Sequence, residues 1–198
     1  YRGSSMPRTM YIERVYHAAT DAELQAGANW YKDAQSQCRV ISLRYGTPLH
    51  LVAAVVAALS PNNRWNRNLL DAAALISAFN RGKTLDAVST STYPAMKEKA
   101  WHLLMVGGQH STCIDILRGP KIQAFYRNIM GDDCVTVDGH AKNIYYGKRE
   151  TLKGNSVGVK EFRKIAVAYQ AAGIKHGIPA SEMQAITWLA WRRLQGIT

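Results

Sequence analysis

The sequence predicts an all-α protein, and three observations carry that reading. Apolar residues recur at three- and four-residue spacing through most of the chain, and the segments so patterned are bounded by glycine, proline or capping residues. The β-branched apolar run Cys134-Val135-Thr136-Val137 is too short and isolated to argue for a sheet.

The elements follow in order. Thr20-Asp21-Ala22-Glu23 has the spacing of a capping box, in which hydroxyl and carboxylate each satisfy an orphan backbone donor, and it predicts a helix from about Asp21 toward Tyr45. Gly46 and Pro48 break that helix and start another, where Leu49, Val52, Ala53, Val56 and Leu59 share one face. Ser60-Pro61-Asn62-Asn63 reads as a polar loop before a helix from Trp65 to the stop at Asn80-Arg81-Gly82. A helix over about 93–105 ends in Val106-Gly107-Gly108.

Ile114 to Leu117 then lead through Arg118-Gly119 into Pro120 and a helix over 122–130. The glycine is expected to permit the tight turn and the proline to start the helix, so this stretch reads as helix, hairpin, helix. After Asp138 come a helix around 140–146, a polar stretch over 148–156, and a helix near 159–172 expected to stop at Gly173. Ser181-Glu182-Met183-Gln184, following Pro179, reads as a second capping box opening the last helix. The expected organisation is a leader or remnant over 1–9, a central helical lobe over 47–135, and a second lobe built from 10–46 and 136–198.

A chain of 198 residues can bury one good core or two small helical lobes. With 47% hydrophobic and 20% charged residues and only six prolines, it is folded rather than disordered. Lys and Arg number 25 against 14 Asp and Glu, a formal charge of +11, which favours a polyanionic partner through phosphate neutralisation and counterion release. Nucleic acid leads, with acidic lipid behind it.

Cys38, Cys113 and Cys134 are widely spaced, without a C-x-x-C pair or zinc spacing, so neither a disulfide framework nor a metal site is expected; such cysteines suit a reducing cytosol. The longest apolar run, Leu49 to Leu59, contains His50 and is short of a membrane span. The opening five residues lack the apolar stretch of a signal peptide. A cytoplasmic monomer without metal or cofactor is the expectation.

One constellation is more specific. Leu117-Arg118-Gly119-Pro120-Lys121-Ile122-Gln123-Ala124, followed by Val135-Thr136-Val137-Asp138-Gly139-His140, resembles the helix-hairpin-helix DNA glycosylase superfamily. In that family the hairpin precedes a Val-Asp-x-His segment whose aspartate is catalytic; Asp138 takes the aspartate position and His140 the histidine. Ala58-Leu59-Ser60-Pro61-Asn62-Asn63 is similar to the family's Leu-Ser-x-Gln type loop, with Asn62 at the residue that fills the gap left by an extruded base. These motifs span about residues 49–144.

The resemblance implies a two-lobed fold with a duplex-DNA cleft between the lobes and a monofunctional N-glycosylase. Asp138 is its electrostatic and general-base residue, and the Gly119 to Gln123 hairpin its phosphate anchor. The pattern departs from the family at two places. Lys121 stands where a second glycine is usual and Pro120 removes a donor, which shifts phosphate binding toward the lysine charge. Gln123 stands where bifunctional members carry their nucleophilic lysine, which argues against Schiff-base chemistry. A four-cysteine iron–sulfur site is absent, because no cysteine follows Cys134.

The residue types support this chemistry independently. Backbone N–H groups at a helix start favour a phosphate, and Gly119 is expected to let the DNA backbone approach closely. A carboxylate held near the sugar stabilises an oxocarbenium-like state or activates water, once the base has left the stack at a cost of a few kcal/mol. Arg64, Arg67, Arg118 and Lys121 are the phosphate candidates near the two loops, and Asn63 adjoins the inserting position.

Each feature also has a simpler structural reading. Asp138 alone suits the N-cap of the following helix, His140 a packed histidine, Ser60 to Asn63 an ordinary turn, and Trp188 with Trp191 core positions beside solvated Arg192 and Arg193. Two rival functions stand beside the glycosylase. One is a base-hypermodification transferase, since some phage-type proteins that elaborate thymine derivatives also resemble this superfamily. The other is a catalytically silent DNA-binding module of the same fold.

Overall fold

A computed structural model describes residues 6–151 and 156–197. The described residues are all-helical, with no strand. The helices are α1 (Met10–His17), α2 (Asp21–Tyr45), α3 (Leu49–Ala58), α4 (Trp65–Asn80), α5 (Pro94–Val106), α6 (His110–Leu117), α7 (Pro120–Ile129), α8 (Gly139–Tyr146), α9 (Val159–His176) and α10 (Ala180–Leu194), with a 3-10 turn at Leu85–Ala87. No single described helix is long and apolar enough to cross a membrane.

The chain divides into two compact units, Lys32–Gly131 and Tyr1–Tyr31 with Asp132–Thr198. In the first, α3 is the core: every residue from Leu51 to Ala58 is buried, because this helix is apolar all round and therefore stable only when surrounded. It packs on α4, α5, α6 and α7. Ala34, Cys38 and Ile41 from the second half of α2 join the same core, with Leu75, Leu103, Leu117 and Tyr126.

The division at Tyr31 therefore lies inside α2, upstream of the Gly46-Pro48 break. Gly46, at φ +66°, ends the helix, but the three buried side chains before it already belong to the central unit.

In the other unit α1, α8, α9 and α10 enclose a core of Ile12, Val15, Val137, Ile144, Tyr169, Met183 and Trp191, among others. The capping box at α2 is present as read: the Thr20 N–H donates to Glu23 Oε1 at 2.9 Å and the Glu23 N–H to Thr20 Oγ1 at 3.1 Å. Gly27 admits the backbone of α10, since a β-carbon there would lie 2.8 Å from Ile186 Cα.

Two local expectations are corrected. The helix expected to stop at Gly173 continues to His176 and ends at Gly177, whose φ of +70° makes it the left-handed cap. Gly173 has a packing role instead, since a β-carbon there would sit 2.7 Å from the Ile178 carbonyl oxygen. The second capping box does not form: the Ser181 N–H donates to Asp133 Oδ1 at 2.9 Å and the buried Gln184 side chain accepts from Tyr31 Oη at 2.6 Å.

Of the leader expected over 1–9, residues 1–5 lie outside the described residues. Arg8 and Thr9 are tied to the fold, Arg8 over the rings of Tyr145 and Tyr146 and Thr9 through Oγ1 to Glu13 at 2.6 Å.

Candidate functional site

The hairpin is built as helix, two-residue turn, helix. Its backbone differs from expectation: Arg118, not Gly119, carries the positive φ (64°), while Gly119 sits at an ordinary φ of −45° as the residue before α7. A two-residue reversal after α6 needs one unusual residue, and the chain places it on arginine. Around Gly119 the space is open, with nothing within 4 Å of an added β-carbon.

The turn is tied internally. Gln123 Nε2 donates at 2.9 Å to the Ile114 carbonyl, which also accepts the Arg118 N–H at 3.2 Å, and Lys99 Nζ donates to the Leu117 carbonyl at 2.8 Å, so side chains brace two carbonyls in the last turn of α6. Gln123, read as a DNA contact, thus braces the hairpin through its amide. Lys99 escaped the sequence reading, because it lies some twenty residues upstream with no pattern linking it to the turn. Burial, then the charge of Arg118, lower the Lys99 pKa below its ordinary value.

Arg118, Gly119 and Lys121 are exposed, and no side chain caps the N-terminus of α7.

The loop at 60–63 belongs to the same unit. Asn62 is exposed and left-handed, with φ +50°, a region open mainly to glycine and asparagine. Asn63 turns inward: its Nδ2 donates to the Leu59 carbonyl at 3.0 Å and to Asp71 Oδ2 at 3.2 Å. Asn63 is therefore part of the loop's frame, and Asn62 is the member presented to solvent. Arg64 is exposed; Arg67 donates from Nε to Asp71 Oδ1 at 2.7 Å with its side chain 48% exposed.

Asp138 lies in the other unit. The buried run Val135-Thr136-Val137 anchors the approach, and Asp138 then caps α8, its Oδ1 accepting the Ala141 N–H at 2.8 Å. The residue is half-buried, so the carboxylate is held in one orientation without being removed from solvent.

Its charge is felt by three neighbours. Burial first, then the Asp138 charge, raise Tyr169 and Tyr31 above the ordinary phenol range; Tyr31 also bonds Thr136. Burial lowers the His140 pKa below its ordinary value, opposed by Asp138 and reinforced by Arg192 and Arg149. His140 Nδ1 is buried with no hydrogen-bond partner among the described residues, and the ring lies edge-on to Trp188 at 6.3 Å. A cleft of about 340 Å³ is lined by His140, Asn143, Arg149, Glu150, Thr151 and Ile197.

Trp191 is core, as the simpler reading had it. Trp188 is half-buried, and Arg192 covers its face at 4.6 Å while Arg193 pairs with Glu23 at 2.9 Å, so neither arginine is merely solvated. Among the described residues no group of three or more His, Cys, Asp or Glu side chains is placed to hold a metal ion.

No curated protein and no solved structure matches the chain. A family model does match, over residues 3–195, and the chain belongs to that family, DUF7178, a family of unknown function.

Proposed function

We propose that the protein binds duplex DNA and removes a damaged or modified base as a monofunctional N-glycosylase, with a two-lobed fold of the helix-hairpin-helix glycosylase type. The observation that carries the proposal is an uncapped, cation-flanked hairpin followed in the chain by a carboxylate fixed at the N-terminus of a helix. Gly119 and Lys121 bind a phosphate with Arg118, while Arg64 and Arg67 contact the backbone near the 60–63 loop.

Asn62 fills the space of the extruded base, and Asp138 stabilises positive charge on the sugar and accepts the proton of the attacking water. No Schiff base forms, because Gln123 braces the hairpin where a nucleophile would stand. The protein acts in the cytoplasm, as a monomer, without metal or cofactor.

Two other readings share this site. A base-hypermodification transferase would use the same extrusion and leave the base attached. A silent DNA-binding module is favoured by one fact: the cap to Ala141 by itself accounts for an aspartate at position 138. Incubation with duplexes carrying varied modified bases, with a protein-free metabolite extract added as the source of a small-molecule group donor, followed by mass spectrometry, separates the three. Free base is expected; a mass adduct on retained DNA would favour the transferase, and unchanged DNA the binding module.

A further inference from the structure

The loop carrying Asn62 is held by a buried carboxylate that the reading above does not use. Asp71, on the second turn of α4, is 2% exposed and gathers three donors from three segments. These are Asn63 Nδ2 at 3.2 Å, Arg67 Nε at 2.7 Å and the Ser91 backbone N–H at 2.9 Å. A fourth tie runs beside it, from Thr92 Oγ1 to the Pro61 carbonyl at 2.6 Å.

The residues on both sides of Asn62 are therefore fixed: the Pro61 carbonyl before it and the Asn63 side chain after it. Between them Asn62 adopts its positive φ of 50° with an exposed side chain. An isolated asparagine prefers other backbone regions, so this conformation persists only where the surroundings determine it. A buried carboxylate requires compensating donors, and all three found here serve to join the loop, α4 and the segment at 91–92.

We propose that Asp71 is a positioning residue for base extrusion: it clamps the 60–63 loop to the 91–92 segment and presets Asn62 for insertion into the duplex. This rests on Asn62 being the space-filling residue. Presetting the loop before DNA arrives removes an ordering cost that would otherwise be met at the moment of insertion.

Two readouts on the intact protein test this, with Asp71→Asn as the main variant. Thr92→Val, which cuts the tie to Pro61 without touching a charge, serves if Asp71→Asn does not fold. The first readout is amide hydrogen exchange over 60–63 and 91–92. The second is fluorescence of a duplex carrying 2-aminopurine at a mismatch, which rises when that base leaves the stack.

Losing a charge-assisted tie is expected to speed exchange about tenfold at Ser91 and in the loop. Wild type is expected to raise the fluorescence. The variants should need about tenfold more protein for the same rise, with duplex affinity within about twofold of wild type.

Exchange and fluorescence both at wild-type levels in the variants would overturn the clamp and leave base extrusion standing. Faster exchange in the variants with no fluorescence response from wild type would instead remove the insertion reading, and Asp71's part in it, leaving only a structural tie. Wild-type fluorescence from variants with faster exchange would also overturn the proposal, since the loop would then insert without being preset.

Discussion

Arg118 carries the least favourable backbone in the hairpin, with φ 64° and ψ −92°, although a glycine stands next to it. A non-glycine residue held there costs on the order of 1–3 kcal/mol. An exposed cation at the head of the turn is a functional reason for keeping arginine. Arg118→Gly is therefore expected to raise stability by about 1 kcal/mol, while weakening duplex binding and reducing the slope of log affinity against log salt by about one. Denaturant unfolding and a salt titration check the two halves; a variant both less stable and equally tight would contradict the account.

A second residue-level prediction concerns acid. The Thr9 hydroxyl, then His176 and Lys175, hold Glu13 down to about 2 from its ordinary 4.5, against the opposing effect of burial. A carboxylate whose folded pKa is depressed contributes stability that is complete above the unfolded value, and is lost as pH falls through the folded one. Melting temperature should fall between pH 4.5 and about 2, and Glu13→Gln, less stable at neutral pH, should lose less across that window. Calorimetry over pH 2–7 would show it; parallel curves for the two proteins would count against the Glu13 cluster.

Among the elements, α2 and α10 meet closely at Gly27, where α10 leaves no space for a β-carbon. Gly27→Ala should cost about 1–3 kcal/mol through overpacking, despite the better helix propensity of alanine. Chemical denaturation measures it; a stabilised variant would mean that the two helices separate easily.

Elements were legible in the sequence where local chemistry decides them. Thr20 with Glu23, Gly46 with Pro48, and Gly107 after α5 mark boundaries through capping and backbone preference alone. Long-range partners defeated the same rules elsewhere. Ser181 and Gln184 have capping-box spacing, but Asp133 and Tyr31 claim them. Gly173 looks like a stop and is a close-packing position, because the segment after α9 folds back on it. Helix α1 contributes only Ile12 and Val15 to the core, too few repeats for a period to show.

The candidate site was legible in part for the same reason. Asp138 and the hairpin are contiguous motifs, and the cap at Asp138 is the one its residue type implies. Lys99 reaches its loop through one contact and Asp71 through three, across separations that no spacing rule announces.

For the whole molecule, a surplus of +11 charges suits the proposed DNA affinity but not the proposed chemistry, which that proposal places on the one carboxylate at Asp138. Asp138→Asn separates the two, because asparagine is an equally good N-cap and should keep α8 and the overall stability intact. The decisive measurement is release of free base from a duplex substrate by wild type and Asp138→Asn side by side, with duplex affinity determined at several salt concentrations. Wild type should release base, and the variant should retain the salt-sensitive affinity while losing turnover by roughly 10²-fold or more. Equal release by both proteins would contradict the assignment of the chemistry to Asp138.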